Sequence, residues 1–510
     1  MLARAVSCGL EGVNGFLVQV EAFLSNGLPG FEIVGLPSAA VKESRDRIRA
    51  ALQVAGYPWP FQKVTVNLSP ADVKKEGTGF ELAIAVAILA AEKPERFRGL
   101  ESTMLLGELT LEGKLMPVRG ALGMAITACE HGVRSLILPE QNARELECLA
   151  NIDVYPAQSL AEVYGHLAGE ALLTPQPKVG YAQLLTRQEI RHDLKHVKGQ
   201  AMARKALEAA AAGGHNLLMV GTPGSGKTML ARCLPGILPP LSYDEALETT
   251  LIHSATGALT AYAGLLTQRP FRAPHHNISM PAMIGGGAKA RPGEVSLAHN
   301  GVLFLDELPE YPRATLEALR QPLEDGFVNV MRVNSHSQYQ SRSMLVAGMN
   351  PCPCGNHGSR IKECRCTPYE IKRYLGKISG PLLDRIDMQV EMDAISVGEI
   401  EQAEAPEDSL TVQARVLAAR LRQQERYGQE SYFCNAQLPQ EGLEKYCQME
   451  PDAKALLMRA VERFHISMRT YGRIRKVART LADLEGRDLI SMADIGQAIQ
   501  FRNVDGQYWR

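Results

Sequence analysis

The sequence has no long hydrophobic run, no excess of either charge and no secretory disulfide pattern, and each absence removes a class of protein. The longest uncharged apolar stretch near the N-terminus, Leu82–Ala91, is about half of what a membrane-spanning helix requires. Arg4 lies in the first ten residues, but no apolar signal core follows it, so a cytoplasmic protein with no membrane partner is expected. The formal net charge is -1, so no global basic field marks a nucleic-acid binder. Any DNA contact must come from a local strip, for instance one created by oligomerisation. There is no internal repeat and no low-complexity tract. Ten cysteines in 510 residues, four of them crowded at Cys352, Cys354, Cys364 and Cys366, do not resemble an extracellular disulfide framework. The other six, Cys8, Cys129, Cys148, Cys233, Cys434 and Cys447, read as small buried hydrophobes.

What is present is an ordinary globular balance, 45% apolar and 22% charged, in a chain too long for one core. Three domains are expected. Residues 1–170 alternate strand-like patterns (Phe16–Phe23, Val64–Leu68) with helix-like ones (Ser38–Ala55, Phe80–Ala91), which reads as an α+β domain. Residues 171–187, with the Pro/Gly-rich Thr174–Gly180, read as a linker. Residues 188–395 continue an α/β pattern. Residues 396–510 open on an acidic stretch, Glu399–Ser409, and then show helical periodicity over Pro451–Phe464, Tyr471–Glu485 and Ser491–Phe501. Ser491 with Asp494 three residues later is a helix-capping signal.

The strongest chemical signal is Gly221-Thr222-Pro223-Gly224-Ser225-Gly226-Lys227-Thr228, which follows an apolar run and opens a helical pattern. A phosphate-binding loop needs that strand-loop-helix setting. The glycines let successive N–H groups turn toward phosphates at a helix N-terminus. Lys227 adds a point charge for the terminal phosphates, and the Thr228 hydroxyl can ligate magnesium. About eighty residues on, Val302–Leu308 reads as a buried parallel strand ending in two carboxylates. Asp306 is expected to hold magnesium through water and Glu307 to polarise the attacking water. ATP and Mg2+ are the cofactors these motifs call for.

The four crowded cysteines form two C-x-C pairs, Cys352/Cys354 and Cys364/Cys366, separated by nine residues. Four thiolates so arranged can close a tetrahedral structural zinc site in a loop with nothing else to fold it. Unliganded reduced thiols and redox pairing are the competing readings.

The two nucleotide motifs occur with Asn350 in Ala347–Pro351, Arg385 in Leu382–Asp387 and Arg469 in Ile466–Arg469. Together they resemble an AAA+ ATPase of the magnesium-chelatase-like clade, and the full layout is similar to the YifB/ComM family. The resemblance implies a P-loop AAA+ core with a parallel sheet, a helical lid domain, and a homo-hexameric ring. It assigns Asn350 to sensor 1, Arg385 to the arginine finger that completes a neighbour's site, Arg469 to sensor 2, with Arg473, Arg475 and Arg479 close enough to take its place, and Val197–Gln200 to the adenine frame. It also likens Phe271–Leu297, with Arg272, His275, His276, Lys289 and Arg291, to a helix-2 insert, and Phe327–Ser343, with Arg332 and Arg342, to a pre-sensor-1 hairpin. Both would project into a ring's pore, where six copies of one cation make a strip for phosphate contacts.

Residues 1–170 resemble the proteolytic domain of Lon, which needs a serine activated by a lysine. In this chain Gly79 and Leu122 fall at those places, and neither does nucleophilic chemistry. A shifted register brings Thr78, Lys74 or Lys75 into consideration. The family implies a DNA motor, a helicase or branch-migration factor in homologous recombination during natural transformation, with single-stranded, duplex or branched DNA and recombination proteins as partners. A chelatase-like remodeller of a protein or metal-insertion enzyme is the alternative, and an ATP-dependent protease the third.

Overall fold

Alternation of buried and open positions in Leu2–Glu11 (β1), Asn14–Ser25 (β2) and Lys63–Ser69 (β4) makes half of a mixed sheet with one face in a core. The computed structural model describes every residue except 98, 187–189, 288–289, 333–334, 360–361, 394–405, 429, 431, 503–507 and 509–510, and the side chains of 331, 332, 335 and 336. The chain forms two compact units: Met1–Arg187 with Ser242–Thr267, and Gln188–Leu241 with Gln268–Arg510.

In the first unit, Gly30–Val34 (β3), Thr103–Leu105 (β5), Ser135–Pro139 (β8) and Asp153–Ala157 (β9) complete a seven-stranded sheet of order β3-β4-β2-β1-β5-β8-β9. A short ribbon, Glu108–Leu109 (β6) with Leu115–Met116 (β7), lies outside it. The apolar run noted above is the helix Glu81–Glu92, buried from Glu81 to Ala91, which explains why it lacks an amphipathic stripe. The helix Ala39–Val54 is capped by the Ser38 hydroxyl and buries Val41, Ile48 and Leu52 against the same core.

The segment Ser242–Thr267 lies in sequence between the two nucleotide motifs yet packs in the first unit. Its helix Tyr243–Thr256 starts on a Ser242/Glu245 capping box. Three contacts hold it there. Gly120 N donates to the Ser254 carbonyl at 3.0 Å, Ser254 Oγ donates to the buried Glu145 at 2.6 Å, and Leu251 lies over Gly123.

The second unit is built on five parallel strands in the order β11-β14-β17-β10-β18: Leu217–Gly221 (β10), Phe271–Arg272 (β11), Val302–Leu305 (β14), Met344–Met349 (β17) and Met388–Met392 (β18). Every residue of β10, β14 and β17 is buried, as a sheet covered on both faces demands. Two small ribbons are appended: Gly285–Gly286 (β12) with Arg291–Pro292 (β13), and Phe327–Arg332 (β15) with Ser335–Gln340 (β16). The C-terminal helices, among them Ser409–Tyr427, Pro451–Phe464, Met468–Leu484 and Met492–Gln500, share one hydrophobic core with the sheet. Ser491 and Asp494 form the expected capping box. Among the described residues no helix is long and apolar enough to cross a membrane.

Candidate active site

Strand β10 delivers the phosphate loop, and the helix Lys227–Ile237 leaves it. Gly224 and Gly226 adopt φ of 80° and 91°, a left-handed geometry that side chains resist. At Gly221 a Cβ would come within 2.4 Å of the Met392 carbonyl oxygen, so the strand partner itself requires glycine.

Inside the loop, Lys227 Nζ donates to the carbonyl oxygens of Gly221 at 2.7 Å and Thr222 at 3.0 Å, and to Asn350 Oδ1 at 3.3 Å. Burial pushes its pKa down, opposed by the charges of Asp306 and Glu307. This is a buried cation held by neutral oxygens, with the buried Thr222 and Ser225 hydroxyls beside it lacking any hydrogen-bond partner. Orphaned donors around a partly desolvated cation fit a polyanion, and the residues present therefore suit ATP. Thr228 Oγ1 donates to Asp306 Oδ2 at 2.6 Å, so the two expected magnesium ligands are already adjacent. Gln200, in the segment likened to the adenine frame, donates from Nε2 to the Ser225 carbonyl at 3.2 Å and the Asp393 carbonyl at 2.6 Å.

Glu307 stands just past β14, exposed and with φ of 53°, a strained geometry for a glutamate. Its Oε2 lies 3.3 Å from His276 Nδ1. The sequence grouped His276 with the basic insert; the fold places it against Glu307, the carboxylate expected to polarise water. The Tyr311 hydroxyl donates to the Pro274 carbonyl at 2.6 Å and pins the approach to that histidine.

Arg385 and Arg469 lie elsewhere. Asn216, immediately before β10, donates from Nδ2 to the Arg385 carbonyl at 2.8 Å. Arg385 is therefore at the head of β10 and Lys227 beyond its tail, about 16 Å away for five residues at roughly 3.3 Å each. The Arg385 guanidinium is bonded to Glu324, and its buried Nε has no partner. Arg469 is 66% exposed and sits 3.6 Å from Asp384, so it accompanies Arg385 rather than Lys227. Arg473, on the helix Met468–Leu484, lies with Nε 3.3 Å from Asp387 Oδ1.

The two basic inserts pack on one another. Tyr339 donates to the Ala290 carbonyl at 2.7 Å, and Gly285 lies against Val330. Arg272 is spent on a bidentate pair with Glu294, at 2.6 and 2.8 Å. His275, Arg291 and Arg342 are exposed. Lys289 and the side chain of Arg332 lie outside the described residues. The sulfurs of Cys352, Cys354, Cys364 and Cys366 all fall within 4.8 Å of one another.

In the first unit, a Cβ at Gly79 would meet Val118 at 3.5 Å, and Leu122 is fully buried. Thr78 donates its hydroxyl to Glu108 at 2.5 Å, Lys75 is buried and donates to the Val73 carbonyl at 2.8 Å, and Lys74 pairs with Glu76 at 2.8 Å. None of the three forms a hydroxyl–amine couple of the sort a Lon-type nucleophile needs.

Fold and site define a magnesium-chelatase-type AAA+ protein. Family models named Magnesium chelatase, subunit ChlI; Subunit ChlI of Mg-chelatase; and Magnesium chelatase, subunit ChlI C-terminal match residues 193–400, 20–142 and 406–502. The chain is 44% identical to YifB of Salmonella typhimurium over 97% of its own length and 96% of that relative. It is 42% identical to the competence protein ComM of Haemophilus influenzae over 98% and 97% of the two chains. The N-terminal region is 29% identical to Lon protease 1 of Herpetosiphon aurantiacus, over 30% of this chain and 19% of that protein. The chain belongs to the YifB/ComM family of magnesium-chelatase-like AAA+ proteins.

Proposed function

We propose that the chain hydrolyses ATP as a ring of identical subunits, a hexamer, and moves on DNA as a helicase or branch-migration factor. The observation that carries this reading is the separation of Lys227 and Arg385 by the length of β10. A chain whose finger sits at the far end of the sheet from its own phosphate loop completes its site with a second copy.

The loop N–H groups and Lys227 would receive the β- and γ-phosphates, and Thr228 with Asp306 would hold magnesium, whose charge would offset that of the phosphate oxygens. Asn350, bonded to Lys227, sits where it orients the attacking water, and Glu307 draws that water's proton. Arg385 of the partner subunit supplies a fixed guanidinium fork for the charge that develops on transfer. Arg469, 3.6 Å from Asp384, lies beside the segment that carries Arg385.

Exposed Arg291 and Arg342, repeated six times around a pore, supply phosphate contacts that a net charge of -1 conceals. The printed name of the Haemophilus relative links the family to competence, the uptake of DNA, and supports a role with recombination proteins in natural transformation. We take the four thiols as a structural zinc site: three of the sulfur separations are 3.4, 3.7 and 3.7 Å, near the edge of about 3.8 Å that a tetrahedron with zinc–sulfur bonds of about 2.3 Å has.

The deciding experiment is ATP turnover with a three-stranded branched DNA, together with displacement of a labelled strand. DNA-stimulated turnover and displacement, with affinity falling steeply with salt, are expected. Stimulation by a protein partner alone would establish the remodeller instead.

A further inference from the structure

The first half of the cysteine loop adjoins the nucleotide site. Residues 351–366 contain no helix or strand among those described, and their composition offers almost no apolar core. Their first cysteine, Cys352, is fully buried two residues after Asn350, whose Oδ1 accepts from Lys227. Gly355, with φ of 78°, lies directly on the Walker loop: a Cβ there would sit 2.6 Å from both Cδ and Cγ of Pro223.

Local hydrogen bonds reach two of the four sulfurs. His357 N donates to Cys352 Sγ at 3.3 Å, and backbone amides of Asn356 and Arg365 point at Cys354. Such donors orient thiolate ligands as outer-shell partners do in metal sites generally. On the far side, the His357 ring meets Tyr508, whose hydroxyl donates at 2.7 Å to Glu391 on β18, the strand paired with β10 at Val220. A segment with no core of its own is thereby clamped between the sensor asparagine, the phosphate loop and the end of β18.

We propose that the metal–thiolate knot of Cys352, Cys354, Cys364 and Cys366 is a brace for the phosphate loop, so that nucleotide affinity depends on the metal. The inference rests on the zinc reading above and adds a function to it. Metal binding is the folding energy of this loop. With the metal gone, Gly355 leaves Pro223, Asn350 loses its anchor, and the loop's orphaned donors are no longer held toward phosphate.

The test uses the full-length chain and binding of a fluorescent ATP analogue with excess magnesium, read beside metal content. One zinc per chain is expected. Stripping it with a thiol-directed mercurial should weaken nucleotide binding about tenfold or more, and dithiothreitol with zinc should restore it. Cobalt added in its place should show the visible bands of a tetrahedral thiolate site. Gly355→Ala keeps all four ligands and the metal, but its Cβ strikes Pro223, so it too should weaken binding; this variant tests the brace even if the stripped protein unfolds. Zinc present with nucleotide affinity unchanged on its removal, and unchanged in Gly355→Ala, overturns the brace and leaves the zinc and ATPase readings standing. A chain with no metal overturns the zinc reading and the brace together, and one that binds no nucleotide in either state removes the ATPase reading as well.

Discussion

Asn216 and Arg385 are tied side chain to main chain, with Asn216 Nδ2 donating to the Arg385 carbonyl at 2.8 Å. Asn216 Oδ1 accepts from Leu345 N at 2.8 Å, and Asn216 N donates to Asp387 Oδ2 at 3.0 Å. One residue at the head of β10 thus joins the strand that feeds the phosphate loop, the strand that leads to Asn350, and the segment that carries Arg385. Asn216→Ala leaves the Arg385 carbonyl and the Leu345 N–H unpaired, at a cost of about 1–3 kcal/mol. The finger segment is then free to shift, while the phosphate loop at the other end of the strand is untouched. Steady-state kinetics should show ATP turnover down about tenfold with nucleotide affinity within about threefold of the parent. Unchanged turnover would show that the finger does not depend on this amide.

His276 Nδ1 lies 3.3 Å from Glu307 Oε2, from a segment outside Val302–Leu308. Glu307→Gln should bind ATP and scarcely hydrolyse it. His276→Ala should lower turnover about fivefold to tenfold, because the carboxylate loses the partner that sets its direction. Adding His276→Ala to Glu307→Gln should do nothing further, since the two act as a unit. An additive loss in the double variant would place His276 in another role.

The nucleotide loop and the Walker B strand were legible because their chemistry is local: the glycines, the lysine and the paired carboxylates follow one another in sequence, and the apolar run of Val302–Leu305 has one structural meaning. The helices from Pro451 onward were legible for the same reason, through spacing and the Ser491 cap. What could not be read depends on partners far along the chain. Nothing near Arg272 announces its pair with Glu294, nor does the sequence around His276 point to Glu307. The docking of Ser242–Thr267 turns on Ser254 meeting Glu145, 109 residues away. Arg469 and its neighbours Arg473, Arg475 and Arg479 were equally open by sequence, and it takes the fold to show Arg473 at Asp387 and Arg469 at Asp384.

Asp193 links the entry to the nucleotide domain with the start of the helix Ser409–Tyr427. Its Oδ1 accepts from Ser409 N at 2.8 Å and Lys195 N at 3.1 Å. Burial raises the pKa of this carboxyl, but those N–H donors outweigh it and hold the group down at about 2. The folded value lies below the ordinary one of about 3.9, so ionised Asp193 stabilises the fold above about pH 4. That contribution is lost as pH falls through about 2. Asp193→Asn should therefore melt at lower temperature than the parent near neutral pH, and the difference should close as pH is lowered from about 4 to 2. A gap that stays constant across that range would mean the charge of Asp193 is not what holds the two segments.

The opposed placement of Lys227 and Arg385 makes a sharper test of the ring than any single substitution. Arg385→Ala retains its own phosphate loop but offers its neighbour no finger, and Lys227→Ala retains the finger but cannot hold the phosphates. Each alone should be nearly inactive. In a heterologous ring, every site draws its loop from one subunit and its finger from the next. Mixed in equal amounts and allowed to exchange, the two inactive proteins should place an intact loop beside an intact finger at about a quarter of the junctions, and ATP turnover should return to about that fraction of the parent. Recovery on mixing has no explanation in a self-contained subunit. Two inactive variants that remain inactive together, after subunit exchange is shown by fluorescence transfer, would return Arg385 to the role of a local partner for Glu324.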